Sequence, residues 1–175
     1  MPISGNPDFK PSAWLCRFAH LIKPQGSVLD VAAGAGRNAR WLAEQGFKVE
    51  AVDRDAVALN TIIGLDNIST ETADLENAPW PYADQKFDAI VVCRYLHRPL
   101  LPILATSLAA HGILIYETFM QGHEACGRPQ NPDFLLNSNE LLQVFMPSLT
   151  VIAFEQGLLE QSPPAVLQRI CVIKS

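Results

Sequence analysis

The sequence predicts an α/β protein built on a doubly wound, mostly parallel seven-stranded sheet that ends in a C-terminal antiparallel strand pair. Three observations predict it. From residue 27 to about residue 118, apolar runs alternate with helix-period segments, the pattern of βαβ units feeding a parallel sheet. A glycine-containing turn, VAAGAG, joins the first apolar run to the helix that follows it. Two last extended runs flank Pro163–Pro164, which makes them an antiparallel pair at the sheet edge.

In chain order, Pro11 to Ile22 reads as a helix, with Pro11 in its first turn and Pro24 to Gly26 stopping it. Ser27 to Ala32 is a buried strand, Arg37 to Gln45 a helix closed by Gly46, and Lys48 to Asp53 the second strand. Asp55 caps a helix over Ala56 to Leu65, and Ile68 to Ala73 and Lys86 to Cys93 give the next two strands. The polar, proline-rich stretch Asp74 to Asp84 between them is a loop. A helix over Leu100 to Ala109 leads to a strand over His111 to Thr118. Ser138 caps a last helix, and Leu149 to Gln156 and Val166 to Ile173 form the final pair.

With 175 residues, 49% of them hydrophobic, the chain has the length and apolar surface for one domain over 1–175. We divide it into an N-terminal helical extension (1–26), a ligand-binding core (27–118), a candidate lid (119–137), and the last helix with its strand pair (138–175). A net charge of −5 argues against a protein that holds nucleic acid through many phosphate contacts, although Arg94, Arg98 and Arg128 could form a local basic patch. Cys16, Cys93, Cys126 and Cys171 form no ligand pattern, so neither a metal site nor a disulfide framework is expected. No segment has a signal-peptide pattern or the run of ~18 apolar residues a membrane span requires, which points to the cytoplasm. Nothing in the sequence specifies an oligomeric state.

The chemistry concentrates in VLDVAAGAGRN, Val28 to Asn38, and in Asp53 at the end of the second strand. Gly34 and Gly36 lie where strand turns into helix, and without Cβ atoms they let backbone N–H groups approach a ligand at a helix N-terminus. Asp53 sits where an acid can accept from both hydroxyls of a ribose. Together they make a nucleoside site with an anionic tail. Gly34, Gly36 and Ala39 also satisfy the dinucleotide fingerprint, and a tight turn with no ligand is the plainest alternative. Asp30 favours another cofactor: a carboxylate just before the turn opposes two phosphates but suits the ammonium of a methionine moiety.

The run VLDVAAGAGRNARWLAEQGFKVEAVDRD resembles the first two motifs of class I S-adenosylmethionine-dependent methyltransferases, with their Rossmann-like fold. Its GAGRNARWLA stretch is similar to the version found in tellurite-resistance methyltransferases. The resemblance implies S-adenosylmethionine as cofactor. It implies that Gly34 and Gly36 line the methionine portion, with Asp30 orienting its amino group, and that Ala32, Ala33, Arg37 and Asn38 also contact the cofactor. It places Asp53 and Arg54 at the ribose, Asp74 and Leu75 at the adenine, and the Cys93 carbonyl with Arg94 at the methionine end. Ala33 departs from the small polar residue or Cys often found in the first motif.

The acceptor side is less determined. Ligands of open α/β sheets lie beyond the carboxyl ends of the strands, which points to Arg94, His97 and Glu117 as catalytic candidates, with Tyr95, Arg98 and Thr118 beside them. The long segment after the fifth strand could fold over the site as a lid carrying His123 and Arg128. The expected reaction is methyl transfer to a small molecule or metalloid oxyanion. RNA or protein methylation on the same fold, a nicotinamide-dependent reductase, and a non-catalytic nucleotide-binding protein are the alternatives.

Overall fold

The computed structural model describes residues 9–175. Seven strands form one sheet: β1 Ser27–Val31, β2 Lys48–Asp53, β3 Ile68–Thr72, β4 Phe87–Cys93, β5 Leu108–Phe119, β6 Thr150–Leu159 and β7 Ala165–Ile173. Their order is β3-β2-β1-β4-β5-β7-β6. The first five run parallel, and β7 enters antiparallel to both β5 and β6, so the expected C-terminal pair is present with its second strand on the inside. The order reverses between β1 and β4, and at such a switch point the chain leaves neighbouring strands in opposite directions and opens a crevice.

Strand alternation divides the core between two faces. Val28, Ala89, Val91, Ile113 and Ile115 pack under helices α1 Ala13–Phe18, α2 Arg37–Glu44 and α3 Ala56–Leu59. Leu29, Val31, Ile90, Val92, Leu114 and Tyr116 pack under α4 Leu101–Ser107 and α5 Glu140–Phe145. Burial on both faces explains why these strands read as continuous apolar runs. By the same alternation Asp30, Cys93 and Glu117 lie on the α1 to α3 face, toward the carboxyl ends of β1, β4 and β5.

Several boundaries differ from expectation. The first helix is α-helical only over Ala13–Phe18, with Ser12 as its cap, and tightens to a 3₁₀ turn at Ala19–Leu21. Helix α3 stops at Leu59 rather than Leu65 because Thr61 hydrogen-bonds through its hydroxyl to Ala35 O and Ala58 O, which draws the chain out of the helix. Helix α4 ends at Ser107, and β5 starts three residues earlier than predicted. Asn139, not Ser138, occupies the cap position of α5, where the Glu140 carboxylate accepts from Asn137 N–H.

Candidate functional site

The carboxyl ends of β1 and β4 bound two clefts, one of about 380 Å³ and one of about 240 Å³. Each strand is followed at once by a residue with left-handed backbone, Ala32 at φ 55° after β1 and Arg94 at φ 56° after β4. A side chain in that region costs roughly 1–2 kcal/mol, a cost the flanking sheet bonds sustain. No propensity signal marks either residue.

The larger cleft is lined by Ala32, Asp53 and Arg54 from the first βαβ unit, by Asp74, Leu75 and Glu76 after β3, and by Arg94, Tyr95 and Leu96 after β4. Thr118 and Phe119 at the end of β5 complete it with Pro129 and Phe134. Asp53 is fixed through both oxygens: Gly34 N–H donates to Oδ2 at 2.8 Å and Asp55 N–H to Oδ1 at 2.9 Å. A Cβ added at Gly34 would meet nothing within 4 Å, so its backbone is open to a ligand. Gly36 has a second reason to be glycine: a Cβ there would lie 2.6 Å from Ile62 Cγ2, so its absence lets the turn pack against the segment after α3. Asp74 lines the cleft, but its carboxylate caps its own turn, accepting from Glu76 N–H, Asn77 N–H and Asn77 Nδ2. These bonds hold it below the usual carboxylate range.

Asp30 is 1% exposed, and its Oδ2 has no hydrogen-bond partner among the described residues. Burial pushes its pKa up to about 7, opposed by the Arg37 guanidinium and the Ala39 N–H and reinforced by Asp53. A buried carboxylate with an orphan oxygen costs stability unless something cationic meets it.

The smaller cleft lies on the other side of Arg94, which lines both. The segment from Lys10 to Ala13 walls it, with Arg37, Glu117, Arg169 and the 161–163 turn. Arg37 Nη1 donates to Lys10 O at 2.9 Å, and Asn38 Oδ1 accepts from Ser12 N–H at 2.9 Å. Asn38 is therefore a buried anchor for the N-terminal segment. Burial pushes the Cys93 thiol up, and Glu117 and Asp30 add to this, so Cys93 is a packed thiol.

Other expected residues fall elsewhere. His97, partly buried ahead of the 3₁₀ turn Arg98–Leu100, lines neither cleft. Arg98 belongs to no basic patch: it pairs with Glu140 through Nε at 2.6 Å and Nη2 at 3.0 Å, and bonds Asp133 O and Leu135 O. His123 does not reach for an acceptor. It is 5% exposed, stacked on Phe119, with Nδ1 accepting from Val166 N–H and Nε2 facing Arg128 O. Arg128 is exposed and lines neither cleft. The segment after β5 is tied down by these bonds and by an isolated bridge between Met120 and Leu136. Sequence reasoning missed Lys10, Ser12 and Arg169; only the Ser12 cap position left a local trace.

Residues 28–110 match the family model described as a methyltransferase domain. Over those residues the chain is similar to methyltransferase domains. No curated protein matches the chain. Among solved structures it is similar to TehB from Haemophilus influenzae, at TM-score 0.74 and 19% identity over 92% of this chain. This chain spans 61% of that protein's length. It is also similar to a TehB-like SAM-dependent methyltransferase from Corynebacterium glutamicum, at TM-score 0.68, 16% identity, 93% of this chain and 87% of that one. The N-methyltransferase NodS from Bradyrhizobium japonicum gives TM-score 0.69, 16% identity and coverages of 91% and 93%. At these identities the likeness establishes the fold. The described residues contain no helix long and apolar enough to cross a membrane. They also hold no group of three or more His, Cys, Asp or Glu able to bind a metal ion.

Proposed function

We propose that the protein transfers the methyl group of S-adenosylmethionine to a small-molecule acceptor, compact oxyanions included. The observation that carries this reading is the buried, unpartnered Asp30 oxygen beside the glycine turn, for which an ammonium group is the complementary chemistry. The residues present fit the donor: Gly34 offers open backbone, Asp53 is held rigid with lone pairs left for ribose hydroxyls, and Leu75 gives the adenine an apolar wall. Arg37 at the start of α2 takes the carboxylate of the methionine portion, and the Cys93 carbonyl lies beside its amino group. Ala32 and Ala33 carry the turn, Arg54 borders the ribose side, and Asp74 reaches the adenine with whatever acceptor capacity its turn leaves.

When bound, the donor supplies a methyl on a cationic sulfur, and transfer is an in-line displacement in which alignment provides much of the rate. The chain contributes position: Arg94 stands between the two clefts, Glu117 walls the smaller one, and Pro129 and Phe134 cover the donor cleft as a fixed wall.

Calorimetric titration tests the reading. S-adenosylmethionine and S-adenosylhomocysteine are expected to bind with dissociation constants on the order of micromolar, and NAD not measurably. Tight NAD binding with no response to S-adenosylhomocysteine would overturn it.

A further inference from the structure

We infer that the part of the larger cleft beyond β4 and β5 is the acceptor pocket and that it takes a small apolar thiol, which attacks as a thiolate. This rests on the methyltransferase reading above and names the acceptor class. The sheet order puts Asp53, Asp74 and Leu75, the residues given to the donor's adenosine, on one side of β1, and β4 and β5 on the other. On that second side the cleft is walled by Tyr95, Leu96, Phe119, Pro129 and Phe134. The wall is held before any ligand arrives: Tyr116 Oη donates to Tyr95 O at 2.8 Å, and His123 stacks on Phe119. Arg98 bonds the chain on either side of Phe134, at Asp133 O and Leu135 O. An apolar body of few atoms fits against these side chains.

The polar groups beside that wall select the attacking atom. Thr118 lines the cleft and is 2% exposed, yet its hydroxyl makes no hydrogen bond among the described residues. The Arg94 guanidinium likewise has no hydrogen-bond or ion-pair partner among the described residues; only its backbone N–H is used, donating to Glu117 O. Two unpaired donors at the edge of an apolar pocket are complementary to an anion. An ammonium would meet the Arg94 charge without an acid to balance it, because the carboxylates of the cleft, Asp53, Asp74 and Glu76, stand on the β2 and β3 side. An alcohol needs a base, and among the described residues no histidine lines the cleft. Burial and the Glu76 and Asp74 carboxylates push the Tyr95 phenol up, so it keeps its proton near neutral pH. A carboxylate or a selenite would have to shed water from a full charge against apolar side chains. A thiol enters neutral, packs its sulfur on aromatic rings, and ionises at roughly pH 8.5, lower beside a guanidinium.

The chemistry balances. The thiol releases its proton to solvent at the cleft mouth, a lone pair of the thiolate sulfur forms a bond to the methyl carbon, and the donor's carbon–sulfur bond breaks with its electron pair left on the donor sulfur. The products are a methyl thioether, S-adenosylhomocysteine and one proton. Arg94 and Thr118 hold the thiolate during the displacement.

The test uses the whole chain with methyl-labelled donor and two carbon skeletons, benzyl and butyl, each as thiol, amine, alcohol and carboxylic acid, with selenite as a separate arm. On at least one skeleton the thiol is expected to be methylated with kcat/KM about tenfold or more above each counterpart and above selenite. Arg94→Ala should lower kcat/KM for that thiol about tenfold or more near neutral pH, and Arg94→Lys should recover part of the loss. Thiophenol, which ionises near neutral pH without help, should lose less in Arg94→Ala than the benzyl thiol does. Phe134→Ala should cut the preference for the benzyl thiol over 2-sulfanylethanol about fivefold. A counterpart or selenite turned over as fast as the thiol, equal losses for thiophenol and the benzyl thiol, an unchanged preference in Phe134→Ala, or no methylated thiol from a chain that binds S-adenosylhomocysteine would each overturn the acceptor assignment. Absence of S-adenosylhomocysteine binding would instead overturn the methyltransferase reading.

Discussion

The Ser12 hydroxyl donates to Glu117 Oε1 across 2.5 Å, tying the start of the first helix to the end of a central strand 105 residues later. Through its backbone N–H the same serine is held by Asn38, in the first turn after the glycines. The glycine turn, the N-terminal segment and the Glu117 carboxylate are thereby mechanically joined.

Ser12→Ala should destabilise the protein by about 1–3 kcal/mol, since it removes the cap on Leu15 N–H and leaves a buried carboxylate oxygen without its donor. Urea denaturation reads this as a lower midpoint with an unchanged slope. Ser12→Thr, which keeps the hydroxyl, should recover most of the loss; if it does not, the hydroxyl is not the cause.

Asp30 should make stability fall as pH rises toward neutrality. Its carboxyl titrates at 3.8 unfolded and at about 7 folded, so between these values the folded state binds the proton more tightly, and above them it carries a buried charge. Asp30→Asn is therefore expected to stabilise the ligand-free protein near pH 8, by at most about 4 kcal/mol, with little gain near pH 4. The same variant should bind S-adenosylmethionine more weakly and lack the strengthening expected of the parent between about pH 6 and pH 8. Denaturant titrations at the two pH values and calorimetry across that range check both; equal stability near pH 8 would mean the charge is solvated.

Asp53→Ala should weaken S-adenosylhomocysteine binding by roughly 1.5–3 kcal/mol, through loss of a charged acceptor for ribose hydroxyls. It should also cost about 1 kcal/mol of stability, because Gly34 N–H and Asp55 N–H lose their partner. Calorimetry and thermal unfolding separate the two effects. Affinity equal to the parent's would move the ribose contact elsewhere.

Arg98→Ala should loosen the segment after β5. Removing the paired contact to Glu140 and the bonds to Asp133 O and Leu135 O is expected to cost about 1–2 kcal/mol and to raise hydrogen exchange over 131–140. The segment around His123 should change less, since Phe119 and Val166 hold it. Unchanged exchange in the variant would show that Arg98 does not pin the segment.

The sequence by itself determined the alternation of strands and helices, the glycine turn and the acid after β2, because these are set within a few residues. Period-two and helical patterning, Gly at positive φ and a strand-end carboxylate need no distant partner to be recognised. It also named Asp30 and Glu117 as site residues without saying which face of the sheet either one takes. Tertiary structure alone decided that those faces coincide, since register between β1, β4 and β5 is a property of pairing. It also decided which polar residues are spent on the fold: Asn38 on Ser12, Arg98 on Glu140, and His123 on Val166. Nothing local distinguishes a histidine or arginine that will be buried in a bond from one left facing a cleft. That difference arises when segments far apart in sequence meet, which is why Lys10, Ser12 and Arg169 became visible only once the chain was folded.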